Sequence, residues 1–219
     1  MSLEAALGRQ LDAWRVALAG GAQRVGWKLG MGERERIADG PVIGHLTSAT
    51  RLHSGAELDV STLAAPHADA EVAVLIGDDV AANSGRSAAA AAIAGFGTAL
   101  EICDLGQAGG PEEIVAANVF HRAFALGGID HAWPGRPPRG RLIVDRETRS
   151  EAIADADYVE LVRVVAALLA RMGERLRAGD HLITGSVVQV PIAPNSDVTA
   201  EIDGFGRVSM TVRAPAAWQ

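Results

Sequence analysis

The chain has 219 residues, of which 48% are hydrophobic, and it carries a formal net charge of −7. This length favours one domain, and the negative charge argues against a nucleic-acid-binding protein, whose binding face is basic. The single cysteine, Cys103, excludes an internal disulfide and is typical of a reducing compartment. No segment has the roughly 20 consecutive apolar residues of a membrane span, and the N-terminus does not resemble a signal peptide. We therefore expect a soluble, cytoplasmic protein.

The hydrophobic pattern predicts many strands and few helices. Helical periodicity and turn residues predict helices over residues 3–19, 84–95, 110–118 and 157–178. Alternation and short apolar runs predict strands over residues 23–31, 68–77, 97–105, 123–128, 140–147, 181–192 and 197–212. Residues 32–39 are predicted to form a charged turn or short helix, and residues 40–66 to contain short strands. Because strands and helices do not alternate regularly, the order favours an α+β fold built around mixed β-sheets. We divide the chain into an N-terminal helix, residues 1–20, and one β-rich catalytic domain, residues 21–219.

Lys28 is the only lysine among the 20 lysine and arginine residues of the chain. It lies in the apolar segment "VGWKLGMG", where a strand is predicted. An ammonium is compact and its pKa can be tuned by its surroundings, whereas a guanidinium is a planar, permanently charged fork. The retained lysine therefore indicates a functional role, with an ion-paired or solvent-directed lysine at a strand edge as the alternative.

Three carboxylates lie in apolar, strand-like segments. Asp69 and Glu71 are two residues apart, so a strand would direct both to one face, and Glu101 lies within "TALEICDL". Buried carboxylates need a partner because their desolvation costs several kcal/mol, on the order of 20 in the idealised limit. Three acids on one face would suit Mg²⁺ or Mn²⁺. The alternative is that Asp69 and Glu71 face solvent on an edge strand while Glu101 pairs with an arginine.

Five segments occur in the order seen in a known superfamily. They are "GWKLG", "ADAEVAVLIG", "ALEICD", "EEIVAANVFHRAFALGG" and "LITGSVVQVPIAPNSDVTAEIDGFGRVSMTV". Over residues 22–214 the chain resembles the fumarylacetoacetate hydrolase superfamily, and within it most resembles the 2-keto-4-pentenoate hydratase and 4-oxalocrotonate decarboxylase group. The resemblance implies a mixed β-sheet roll or distorted barrel with a few flanking helices, a divalent metal (Mg²⁺ or Mn²⁺), a homo-oligomer, and small 2-oxo or 2-hydroxy-dienoic acid substrates.

The resemblance also assigns roles to residues. The metal ligands fall on Asp69, Glu71 and Glu101, where Asp69 replaces the glutamate usual in the family. The strand lysine near the substrate falls on Lys28, and its pKa is expected to be lowered by burial and by the neighbouring cation. Asp104 is expected to contribute to catalysis without binding the metal, by orienting a ligand or a water molecule.

Substrate contacts are expected from Asn118 and from the "TGS" segment formed by Thr184, Gly185 and Ser186. Two features depart from the family pattern. The serine and arginine that usually follow Asp104 are replaced by the segment "LGQAGG", and bulky residues at positions 119–121 replace small polar ones.

The resemblance implies a hydro-lyase that adds water to a 2-hydroxy-dienoic acid through a metal-stabilised enolate. A decarboxylase or an acylpyruvate-type hydrolase of the same superfamily is the alternative, since all three reactions share the enolate. A non-catalytic partner subunit that kept the fold is an alternative of another class.

The six histidines show no metal-binding spacing. His45 is interpreted as a loop histidine, with a position at the rim of the pocket as the alternative. Glu33 or Glu35 could pair with it as in hydrolytic relatives, although a charged surface turn is favoured for that segment. Cys103 is interpreted as a core residue.

Overall fold

The computed structural model describes residues 2–30, 40–106 and 109–214. The predicted turn at 32–39, with Glu33 and Glu35, lies outside these residues. Four helices occur in the described ranges: α1 (Leu3–Ala19), α2 (Arg86–Ala91), α3 (Pro111–Ala116) and α4 (Tyr158–Arg171).

Twelve strands in the described part of the chain form two sheets. The seven-stranded sheet has the order β2-β1-β10-β5-β6-β7-β3, and the five-stranded sheet has the order β4-β12-β11-β8-β9. The strands are β1 (Arg24–Gly30), β2 (Val42–Thr47), β3 (Arg51–Leu52), β4 (Ala56–Asp59), β5 (Pro66–Ile76), β6 (Ile93–Asp104), β7 (His121–His131), β8 (Arg139–Val144), β9 (Glu147–Ile153), β10 (His181–Pro191), β11 (Ser196–Ile202) and β12 (Gly206–Arg213).

The predicted first helix is found over Leu3–Ala19, where the hydroxyl of Ser2 caps it by accepting a hydrogen bond from the Ala5 N–H at 3.2 Å. The predicted helix over 157–178 is too long, because α4 ends at Arg171. Gly173 follows it with a φ of 74°, the left-handed conformation that ends a helix, so this glycine is the stop signal.

Two strand predictions also need correction. The segment predicted as one strand over 197–212 is the hairpin of β11 and β12, joined across a turn that contains Gly204. Strand β9 was not predicted, and its mostly exposed residues explain why no apolar run marks it.

The seven-stranded sheet has two chemically different faces. On one face, buried residues such as Ala70 and Leu100 pack against Val198 and Val208 of the five-stranded sheet. Farther along the same face, the apolar stripe of α4 covers the sheet, with Val165 at its centre. The opposite face carries Lys28 and the acidic residues among small apolar neighbours, and it holds the candidate site.

The parallel pairing of β1 with β10 brings two strands that are about 155 residues apart in sequence side by side in the larger sheet. Gly26 makes this close approach possible. Its φ is 151°, and a Cβ atom at this position would lie 1.9 Å from the carbonyl oxygen of His181. Only glycine avoids that collision.

The architecture confirms the predicted α+β class with a mixed β-sheet roll and a few flanking helices. None of the helices in the described ranges is long and apolar enough to cross a membrane. The division into residues 1–20 and 21–219 stays a prediction.

Candidate active site

Adjacent antiparallel strands bring the predicted carboxylates together. Asp69 of β5 is the direct partner of Glu101 of β6, and Glu71 lies two residues farther along β5. The exposed fractions are 5% for Asp69 and 1% for both Glu71 and Glu101. The alternative in which Asp69 and Glu71 face solvent on an edge strand is therefore wrong.

Lys28 supplies positive charge to this group from β1. Its Nζ lies 2.5 Å from Oε1 of Glu101 and donates a second hydrogen bond, 3.1 Å long, to the carbonyl oxygen of Val119. Lys28 is 3% exposed, so the alternative of a solvent-directed lysine is wrong. Glu101 pairs with this lysine and not, as the alternative supposed, with an arginine.

The buried charges shift each other's pKa values. Burial alone would lower the pKa of Lys28, but its interactions with Cys103, Glu101 and Glu71 outweigh burial and raise it. Burial alone would raise the pKa of Glu101, but Lys28 and His121 lower it. The protein groups therefore hold Lys28 as an ammonium and Glu101 as a carboxylate. Burial lowers the pKa of Lys28 as predicted, but the acidic neighbours outweigh it; the lowering expected from a neighbouring cation stays a prediction.

Gly44 of β2 leaves room for the lysine side chain. A Cβ atom at Gly44 would lie 2.6 Å from Cγ of Lys28 and 2.8 Å from Oδ1 of Asn118. These distances are shorter than van der Waals contact, so any larger residue at this position would displace the lysine or the asparagine.

A strained turn connects α3 to β7 and forms one wall of the site. Asn118, Val119 and Phe120 have φ values of 65°, 53° and 63°, in the left-handed region that non-glycine residues rarely adopt. The Asn118 side chain holds this turn against β2, since its Oδ1 accepts from the N–H of His45 at 2.8 Å and its Nδ2 donates to the His45 carbonyl at 3.0 Å. The predicted substrate-binding residue Asn118 thus orients the carbonyl of Val119 toward Lys28.

The same turn directs His121 into the site. Its Nδ1 lies 2.5 Å from Oε1 of Glu101, and its Nε2 lies 2.9 Å from Oγ1 of Thr50. Burial lowers the pKa of His121, so we assign a neutral imidazole whose Nδ1–H donates to Glu101 and whose Nε2 accepts from the Thr50 hydroxyl. Sequence reasoning missed this role, because no local spacing pairs His121 with Glu101.

Asp69, Glu101 and Cys103 offer ligand atoms that all lie within 4.8 Å of one another. The Cys103 thiol donates to Oδ2 of Asp69 at 3.6 Å, while Oδ1 of Asp69 is buried without a hydrogen-bond partner in the described part of the chain. Burial and the neighbouring Glu101 raise the pKa of Asp69 to about 7. Cys103 is buried in a hydrophobic cluster, as its interpretation as a core residue predicted, and its thiol also contacts the acidic group. Cys103 lies two residues after Glu101 on β6, so the alternation of side chains that directs Asp69 and Glu71 to one face also directs Cys103 to the face of Glu101.

Glu71 is held by a bulge in β10. The register between β5 and β10 shifts on both sides of the pair formed by Glu71 and Ser186, which directs the N–H of Gly185 onto Oε2 of Glu71 at 2.7 Å. Burial and the charge of Glu101 raise the pKa of Glu71 well above its ordinary value. The hydroxyl of Thr184 donates to the carbonyl of Val72 at 2.9 Å, and Ser186 is exposed. Of the "TGS" segment, Gly185 is thus the residue that contacts the acidic group.

The structure does not bring Asp104 to this group. Its carboxylate accepts hydrogen bonds from the N–H groups of Ala65 at 2.9 Å, Gly106 at 3.1 Å and Ala64 at 3.3 Å, and Arg122 lies 3.6 Å away. Although burial acts against it, these N–H donors lower the pKa of Asp104. Asp104 therefore stabilises two loops, one containing Ala64 and Ala65 and the other containing Gly106.

The comparisons with known proteins agree with this architecture. The family model for the C-terminal domain of fumarylacetoacetate hydrolase matches residues 28–213. A 4-oxalocrotonate decarboxylase from Pseudomonas sp. is 27% identical over 211 residues, which cover 87% of this chain and 79% of that protein. The solved 4-oxalocrotonate decarboxylase from Pseudomonas putida G7, complexed with magnesium and adipate, superposes with a TM-score of 0.86 at 24% identity, covering 97% of this chain and 86% of that one.

A more distant fold neighbour is the fumarylpyruvate hydrolase from Pseudomonas aeruginosa in complex with Mn²⁺ and pyruvate. Its TM-score is 0.68 at 18% identity, with coverage of 88% of this chain and 90% of that one. The family match extends over most of the chain and includes Lys28, Asp69, Glu71 and Glu101. The chain belongs to the fumarylacetoacetate hydrolase family.

Proposed function

We propose that the protein is a divalent-metal-dependent lyase that decarboxylates an unsaturated 2-oxo dicarboxylic acid of the 4-oxalocrotonate type. One observation carries this proposal: a buried cluster in which Lys28 is paired with Glu101 beside an Asp69 carboxylate, one oxygen of which has no partner among the described residues. The similarity to 4-oxalocrotonate decarboxylases supports the choice of reaction. Hydration, which the sequence analysis placed first, becomes the second candidate.

The acidic residues fit a divalent cation. Burial and the charge of Glu101 raise the pKa values of Asp69 and Glu71, and a divalent cation would supply the positive charge that one buried ammonium does not. Asp69, Glu71 and Glu101 are the residues that would hold Mg²⁺ or Mn²⁺. When bound, such an ion would supply Lewis-acid stabilisation of negative charge on the 2-oxo oxygen of the substrate.

Lys28 would bind and orient the substrate. Because the protein groups raise its pKa, its ammonium stays protonated at neutral pH and attracts a carboxylate or an oxygen on which negative charge develops. Lys28 therefore acts as a fixed positive charge and not as a base that removes a proton.

The reaction takes up a proton at carbon, and Glu71 would contribute to it as a ligand of the ion. In decarboxylation, the bond between the carboxylate and the adjacent carbon breaks, its electron pair moves through the conjugated system toward the 2-oxo oxygen, and a proton is then added to carbon. Burial and the charge of Glu101 raise the pKa of Glu71, so its proton would compete with the ion for this carboxylate, and the hydrogen bond from Gly185 fixes its position.

One feature favours water addition as the second candidate. Nδ1 of His45 is buried without a hydrogen-bond partner among the described residues. Burial and the nearby His121 lower the pKa of His45 to about 4, so its imidazole is neutral and could hold a water molecule. A hydratase would need such a water beside the conjugated double bond.

The test compares two substrates with one protein. With Mg²⁺ or Mn²⁺, 4-oxalocrotonate should lose CO₂, whereas 2-hydroxypenta-2,4-dienoate should react more slowly by water addition. Glu101→Gln should abolish turnover, and Asp104→Asn, which keeps an acceptor for the loop N–H groups, should retain it. Faster hydration than decarboxylation would favour the second candidate. If neither substrate reacts and Mn²⁺ does not raise the melting temperature, the non-catalytic alternative is correct. Homo-oligomerisation stays a prediction.

A further inference from the structure

The only cysteine of the chain lies within the acidic group. Cys103 follows Glu101 by two residues on β6, is 3% exposed, and places Sγ 3.6 Å from Oδ2 of Asp69. Ligand atoms of Asp69, Glu101 and Cys103 lie within 4.8 Å of one another. Oxygen and sulfur ligands lie about 2.0–2.3 Å from a zinc-sized ion, so one ion can reach all three atoms after a small adjustment.

A second observation indicates that this group is built for a ligand. Asp69 is only 5% exposed, and its buried Oδ1 has no hydrogen-bond partner in the described ranges. Gln189 lies opposite Asp69 on β10 and its amide favours the charged form of Asp69, but it does not reach Oδ1 at hydrogen-bond geometry. A thiol hydrogen bond to Oδ2 leaves Oδ1 unsatisfied, whereas a cation would engage it.

We propose that Cys103 coordinates the divalent ion together with Asp69 and Glu101, and that the site therefore prefers a first-row transition metal to Mg²⁺. The inference rests on the proposed function and specifies its metal. On binding, the thiol loses its proton to solvent and the sulfur becomes a thiolate ligand.

The chemistry of the donor set gives the preference. Mg²⁺ binds oxygen ligands and rarely accepts sulfur, whereas thiolates favour later divalent ions in the order Mn²⁺ < Fe²⁺ < Co²⁺. A site with carboxylates alone would bind Mg²⁺ and Co²⁺ with a smaller difference in affinity. Because the chain has a single cysteine, any thiolate signal from the bound metal comes from Cys103.

The experiment is a Co²⁺ titration of the full-length protein after treatment with a chelator. Calorimetry measures binding, and absorption in the near ultraviolet detects sulfur-to-cobalt charge transfer. Wild type and the neighbouring control Asp104→Asn should both show the band. Cys103→Ser should bind Co²⁺ without the band. The ratio of Co²⁺ affinity to Mg²⁺ affinity should be about tenfold or more lower in Cys103→Ser than in wild type. Mutation of residues that only hydrogen-bond to a metal ligand already changes metal affinity by that factor.

The outcomes separate this inference from the proposed function. If wild type binds Co²⁺ without a charge-transfer band, Cys103 is not a ligand, and the proposed lyase with a carboxylate site stands. If neither Co²⁺, Mn²⁺ nor Mg²⁺ binds, both are wrong. Should Cys103→Ser fail to fold, X-ray absorption of the Zn²⁺-loaded wild type decides the question. A zinc–sulfur distance of about 2.3 Å supports the inference, and a shell of oxygen and nitrogen alone overturns it.

Discussion

Removing the charge of Lys28 should destabilise the protein severely, because Glu101 would remain as a buried carboxylate. The substitution Lys28→Met keeps the approximate volume and the apolar stem of the side chain. The ion pair is 2.5 Å long, and its two side chains are 4% and 1% exposed. Breaking such a buried pair costs about 3–5 kcal/mol. Since His121 still contacts Glu101, we expect a loss of about 3 kcal/mol in the free energy of unfolding.

The pH dependence of this loss follows from the Glu101 carboxylate. In the wild type, Lys28 and His121 lower its folded-state pKa, so its contribution to stability is present above the ordinary unfolded pKa and disappears as the pH falls through the folded value. In Lys28→Met, burial is less opposed and the folded-state pKa rises. The difference in stability between the two proteins should therefore be largest near pH 7 and shrink as the pH falls and the carboxyl is protonated.

Urea unfolding in the presence of a chelator measures this difference. The double variant Lys28→Met/Glu101→Gln removes both charges and should recover part of the stability lost in the single variant. Arg139→Met is the control, because Arg139 and Glu151 form an exposed pair with a distance of 2.7 Å and such pairs contribute about 1 kcal/mol or less. A loss at Lys28 no larger than the control, or a double variant less stable than the single one, would refute the reasoning.

Three further predictions concern the same region. Stabilisation by Mn²⁺ should be larger at pH 8 than at pH 6, because the pKa of Asp69 is about 7 and its proton competes with the metal below that pH; equal shifts in melting temperature at both pH values would contradict this. Gly44→Ala should lower the free energy of unfolding by about 1–3 kcal/mol and should lower kcat/KM, because the new Cβ would lie 2.6 Å from Cγ of Lys28. Gly8→Ala is the control: the space around Gly8 is open, so turnover should be unchanged. Asp104→Ala should lower the free energy of unfolding by about 1–3 kcal/mol, because backbone N–H groups lose their acceptor. The Mn²⁺-dependent rise in melting temperature should persist. Loss of that rise would indicate that Asp104 contributes to metal binding.

The sequence predicted those parts of the site that depend on strand periodicity alone. Asp69 and Glu71 share a face because side chains alternate along β5, and Glu101 joins them because β5 and β6 are neighbouring antiparallel strands. The apolar context of each acid was enough to indicate burial, and the single lysine was enough to suggest its partner.

The remaining site residues depend on backbone irregularities that leave no clear sequence signal. His121 reaches Glu101 through three consecutive left-handed residues, of which Val119 and Phe120 are types that rarely adopt this conformation. The N–H of Gly185 reaches Glu71 through a bulge, and bulge positions follow from pairing with a strand more than 100 residues distant in the chain. Cys103 could have been found, because the two-residue spacing that paired Asp69 with Glu71 applies equally to Glu101 and Cys103.

The position of β10 in the larger sheet has a consequence for biosynthesis. The neighbours of β1 in this sheet are β2 and β10, and β10 separates β1 from the β5–β6–β7 group. The ribosome therefore releases the strand that bears Lys28 early, and it releases the acidic strands well before His181–Pro191 can be inserted between them. In the finished sheet, Lys28 and the carboxylates therefore face each other only once β10, the later-synthesised strand between β1 and β5, is in place.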